Sequence, residues 1–134
     1  MKFVKWIFRT AGVFGLLTMI PIIFAEKLIE QIMPPAVNHP EFFYGFVLLN
    51  ICWQMLYLIL SKDPLRYRMM ILPAFLAKAS APLAIVWLVL QDRIPSQWMQ
   101  TAIMDGAFAL LFLVAFWITG RETRTENAKG FQYG

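Results

Sequence analysis

Residues 42–90 read FFYGFVLLNICWQMLYLILSKDPLRYRMMILPAFLAKASAPLAIVWLVL. Two apolar runs, Phe42 to Leu60 and Met69 to Leu90, flank a short polar segment, Ser61 to Arg68. A helix rises about 1.5 Å per residue, so about 20 residues cross a hydrocarbon core of ~30 Å. Each run is long enough to do so, and the Asp63-Pro64 pair between them favours a turn. The stretch therefore reads as a hairpin of two membrane-spanning helices. The same pattern continues on both sides, with apolar runs from about Phe3 to Ala25 and from about Trp98 to Ile118. The expected fold is an all-α integral membrane four-helix bundle, one domain over residues 1–134, with a polar tail over 120–134.

The basic residues orient this bundle. Lys2, Lys5 and Arg9 precede or open the first run, Lys62, Arg66 and Arg68 lie between the second and third, and Arg121, Arg124 and Lys129 follow the fourth. Only Lys27 and Arg93 fall in the other connections, and Lys78 lies inside a run. Loop cations stay on the cytoplasmic face, which puts both termini in the cytoplasm and the chain in the cytoplasmic (inner) membrane.

Composition agrees. Of the 134 residues 60% are hydrophobic and 15% charged, more apolar surface than a soluble domain of this size can bury. The cations punctuate apolar runs instead of forming a basic face with interleaved aromatics, so nucleic acid is not an expected partner and anionic headgroups are. The lone Cys52 permits no disulfide framework and reads as an apolar filler. His39 has only the scattered Glu26, Glu30 and Glu41 for company, too few converging ligands for a metal site. No cofactor motif is present.

Within the first run, Gly12 and Gly15 would let another helix approach closely, and Pro21 predicts a kink near the outer end. The run also has the basic start and apolar middle of a secretory signal peptide, but Ile23 occupies the small-residue position before a cut at Ala25, and the apolar stretch is long for that purpose. Beyond it, Leu28, Ile29, Ile32 and Met33 recur at helical spacing, an expected extension of the first helix stopped at Pro34-Pro35. The linker from Ala36 to Glu41 leads to the second span.

Two ionisable residues fall inside the spans, Lys78 and Asp105. A charge at the bilayer centre costs at least ~2.5–3.5 kcal/mol, so an unpaired one is disfavoured. Counted from Met69, Lys78 lies roughly 13 Å deep, and Asp105 lies roughly 10 Å below the opposite face counted from Trp98. Their depths in a ~30 Å core differ by roughly 6 Å, within reach of a lysine side chain. The short connection between the third and fourth spans makes them antiparallel neighbours, so an ion pair is expected. Asn50 and Gln54 share a face at i, i+4, with Tyr57 at i+7, and reach the same layer. Thr18 and Ser80 are further candidates. The small residues Ala74, Ala77, Ala81, Ala84, Ala102, Gly106 and Ala109 would bring backbones together there, and Pro73 and Pro82 could free carbonyls. Arg66 and Arg68 are expected at the membrane surface on lipid phosphates, with Asp63 capping or pairing nearby.

The stretch His39-Pro40-Glu41-Phe42-Phe43-Tyr44-Gly45, with Trp53-Gln54 and Asp63-Pro64-Leu65-Arg66-Tyr67-Arg68, resembles small four-helix bacterial inner-membrane proteins, the DoxX-like and BphX-like group. The resemblance covers about the middle half of the chain and implies topology and location, not an activity. Relatives in that pattern carry an acid beside the position of Lys78, where this chain has Ala77 and Ala79. Small multidrug exporters instead place a carboxylate in their first helix, and Thr10 to Phe24 has none.

Two classes of function follow. The leading one is a membrane protein that binds a lipid-like ligand or a protein partner, a second copy included, through a layer of Lys78, Asp105, Asn50 and Gln54. The alternative is a membrane enzyme acting on an apolar, sterol- or quinone-like substrate with Asp105 as proton carrier, or a proton-coupled carrier working as an oligomer.

Overall fold

The computed structural model describes residues 1–32 and 39–130, and among these the regular structure is entirely helical. Helix α1 covers Lys2–Ile23, α2 Glu26–Ile32, α3 Pro40–Lys62, α4 Ile71–Leu90 and α5 Met99–Gly130. Short 3-10 turns, Arg68–Met70 and Ser96–Trp98, lead into α4 and α5. Four of the helices, all but α2, are long and apolar enough to cross a membrane. The stop at Pro34-Pro35, the linker from Ala36 and the tail residues Phe131 and Tyr133 lie outside the described residues.

Three local departures from the sequence reading have physical causes. Pro21 has no N–H for the Leu17 carbonyl, and soon after it α1 ends: Phe24 and Ala25 donate three residues back, to Pro21 and Ile22, each at 3.1 Å. Residues 26–32 thus form a separate helix, not an extension. Pro73 sits in the first turn of α4, where a helix N–H has no partner anyway, so only Pro82 interrupts that helix. Through Gly130, the expected polar tail continues α5 as helix. Between Gly120 and Gly130 there is no proline or glycine to break it. Arg121 also lies 3.6 Å over the Trp117 ring, tying the extension to the turn before it.

The helices form two tight pairs, α1 along α3 and α4 along α5, joined by weaker contacts of α1 with α5 and α3 with α4. Gly12 and Gly15 make the first pair possible. A Cβ on Gly12 would come within 2.9 Å of the Gln54 carbonyl oxygen, and one on Gly15 within 2.7 Å of Gln54 Cγ. The small face expected on α5 is used unevenly: Ala102 and Ala109 are buried, whereas Gly106 faces open space.

The packed core is confined to one half of the bundle. Val4, Ile7, Phe8 and Ala11 of α1 meet Tyr57 and Leu60 of α3, Ile71 and Ala74 of α4, and Phe112 and Ala115 of α5. This is the basic end, where the three cation clusters lie. In the other half, no described residue of α1 or α2 beyond Gly15 is buried, none of α4 beyond Ala74, only Val47 of α3 before Gln54, and only Ala102 of α5 before Ala109. Meanwhile Leu17, Leu49, Leu76, Leu83, Leu90, Ile103 and Leu110 face outward. Such an apolar exterior suits lipid and exceeds what a soluble monomer usually exposes. Cys52 faces outward too and fills no core.

Candidate functional site

Lys78 and Asp105 meet where the packed half ends. Within the contiguous core cluster Ala74 is the outermost residue of α4 and Phe112 that of α5, and the pair lies about one to two turns beyond them. Lys78 Nζ donates to Asp105 Oδ1 at 2.6 Å, a short charge-assisted bond. The side chains keep 12% and 26% of their exposure, so the carboxylate is the more open partner.

The ammonium also lies 5.9 Å from the Tyr57 ring centroid and 5.8 Å from that of Phe108, within range of cation–π attraction. Tyr57 in turn packs edge-on against Phe112 at 4.9 Å, and Phe112 lies 4.7 Å from Phe8. Three of the long helices, α1, α3 and α5, therefore contribute to the floor beneath the pair, which α4 joins through Lys78 itself. Phe108 was not singled out by sequence reading, although its place three residues after Asp105 puts it on the same helix face. Pro82 adds a backbone feature: it has no N–H to offer the Lys78 carbonyl, one turn before it.

The other residues expected in this layer do not join it. Asn50 Nδ2 donates to the Phe46 carbonyl of its own helix at 3.0 Å. Gln54 is buried, 1% exposed, but its side chain is turned into the Gly15 notch of α1, and Oε1 has no hydrogen-bond partner among the described residues. Thr18 and Ser80 likewise donate to carbonyls within their own helices. The site is thus a two-residue ion pair on an aromatic floor, not a four-residue network.

Elsewhere, Asp63 Oδ1 accepts the Arg66 N–H at 3.2 Å, closing the turn before α4. Arg66 is exposed, with its guanidinium 5.7 Å over Tyr67. Arg68 is instead half-buried against α5, 4.0 Å over the Phe116 ring, with Nε enclosed beside Gly120. Of the two, Arg66 keeps the open surface position. His39 pairs with Glu41 at 3.1 Å in the open, and the described residues hold no group of three potential metal ligands. Glu26 of α2 accepts a 2.6 Å bond from the Tyr44 hydroxyl, anchoring the short helix to α3.

The fold and site together define an all-helical chain with four helices able to span a membrane and an ion pair set between two of them. Comparison with family models, curated proteins and solved structures finds no match.

Proposed function

We propose that this chain is a four-span protein of the cytoplasmic membrane, both termini inside, that binds the polar head of an amphiphilic, lipid-like molecule at Lys78 and Asp105. One observation carries the reading: the ion pair lies at the boundary between the packed and unpacked halves, with the carboxylate 26% exposed. In a bilayer that exposed carboxylate edge faces hydrocarbon, where an unsatisfied acceptor is costly. An amphiphile entering between the α1–α3 and α4–α5 pairs brings a hydroxyl or ammonium donor to it. The outward-facing leucines of the same half offer apolar surface for its tail. The basic clusters support the orientation. The resemblance of residues 39–45, 53–54 and 63–68 to DoxX-like and BphX-like proteins supports the same placement.

The test compares wild type with Asp105→Asn and Lys78→Met, extracted in mild detergent and analysed by native mass spectrometry for retained small molecules. Wild type retains a bound amphiphile, and both variants lose it while keeping their helical circular dichroism. Equal retention by well-folded variants overturns the proposal. A bound species that wild type chemically converts and Asp105→Asn does not would transfer the assignment to the membrane-enzyme alternative.

A further inference from the structure

A second site lies at the basic end, away from the ion pair. Lys2, Lys5 and Arg9 recur at spacings of three and four residues, placing all three on one side of α1. The end of α3 brings Lys62 alongside, and the four cations line a cleft of about 660 Å³ floored by Leu58 and edged by Trp6. No carboxylate lines it. Both ion pairs among the described residues, His39–Glu41 and Lys78–Asp105, are elsewhere. Nearby Asp63 is engaged with the Arg66 N–H, and the Ser61 hydroxyl donates to the Leu58 carbonyl at 2.6 Å. The cleft therefore offers four cationic donors with no anion of its own.

We propose that this cleft binds the phosphate-bearing headgroup of an anionic phospholipid in the cytoplasmic leaflet, with a head carrying two phosphates favoured over one. Four like charges converging in one cleft repel each other, and a dianion relieves more of that repulsion than a monoanion. Basic pockets between membrane helices on the cytoplasmic side take such headgroups. The apolar parts of the cleft select a lipid over a free anion. Trp6 is 60% exposed with the Arg9 guanidinium 5.7 Å over its ring, and Phe3 beside it is also exposed. Together they make an amphipathic rim at the depth where aromatic rings meet headgroups and upper acyl chains. The inference rests on the membrane-spanning reading, but not on ligand binding at Lys78 and Asp105.

The experiment titrates the detergent-solubilised full chain with diphosphatidylglycerol, phosphatidylglycerol, phosphatidylcholine and inorganic phosphate, reading bound adducts by native mass spectrometry. Affinity falls in that order among the lipids, and inorganic phosphate at equal concentration does not displace them. Lys2→Gln, Lys5→Gln and Lys62→Gln together weaken diphosphatidylglycerol binding by about a hundred-fold, at about five-fold per cation. Lys27→Gln with Arg93→Gln, which also lowers net charge, leaves it unchanged. Each single lysine variant, weaker by about five-fold, serves if the triple variant fails to fold. Equal losses in the two charge-reduced proteins, or equal affinity for phosphatidylcholine, overturn the proposal. Inorganic phosphate competing on equal terms overturns the lipid assignment. A chain that stays monodisperse without detergent sinks the spanning reading itself, an outcome distinct from unselective lipid binding.

Discussion

Removing one partner of the Lys78–Asp105 pair should cost more than removing both. Lys78→Met leaves a carboxylate without its 2.6 Å ammonium at mid-span, where a lone charge costs about 2.5–3.5 kcal/mol. The exposed edge of Asp105 meets hydrocarbon in that reading and gains no screening from it, so about 3 kcal/mol is expected. Asp105→Asn leaves the ammonium, but two aromatic rings remain at 5.9 and 5.8 Å. Their attraction offsets part of the loss, so about 1–2 kcal/mol is expected. With both charges gone, Lys78→Met/Asp105→Asn should unfold within about 1 kcal/mol of wild type, since an apolar replacement of a buried pair is often neutral. The implied coupling is about 3 kcal/mol. Unfolding in mixed micelles at rising dodecyl sulfate fraction, followed by circular dichroism, measures all four corners of the cycle. Additive single-variant effects, or Asp105→Asn costing more than Lys78→Met, would refute the reasoning.

Two further predictions concern packing and surroundings. Gly12→Ala should destabilise by about 1–3 kcal/mol because its Cβ meets the Gln54 carbonyl at 2.9 Å; Gly106→Ala, which meets nothing within 4 Å, should be neutral or stabilising by up to about 1 kcal/mol in the same assay. Cys52, exposed on the bundle surface at mid-span, should resist a membrane-impermeant maleimide in intact cells and react after denaturation. In a Cys52→Ser background, Lys5→Cys and Arg124→Cys should react only once the cytoplasmic face is opened. Labelling of Cys52 in intact cells, or of either terminal site from outside, contradicts the proposed disposition.

Much of the architecture was legible because apolar run length reports directly on helices able to cross a bilayer. The meeting of Lys78 with Asp105 was legible for a similar reason. Depth along a helix follows from counting residues, and a short connection makes two helices neighbours. Azimuth is harder. The i, i+4 spacing of Asn50 and Gln54 puts them on one face but does not say which neighbour that face meets. The notch left by Gly12 and Gly15 draws α1 onto α3 and takes Gln54 with it, away from α4. Asn50 is satisfied by its own helix, as polar side chains in helices often are. The end of the α5 helix, as distinct from the end of its apolar run, was not legible for another reason. Polarity marks where a helix would leave lipid, whereas ending a helix requires a breaker, and residues 121–129 contain none.

The unbroken length of α5 has a mechanical consequence. Its 32 residues extend about 48 Å, and about 30 Å of helix suffices for the hydrocarbon. The surplus projects from the basic end as a rod continuous with the segment carrying Asp105. In the proposed membrane placement, force or torque applied to that rod outside the bilayer would reach the segment carrying Asp105 without an intervening joint.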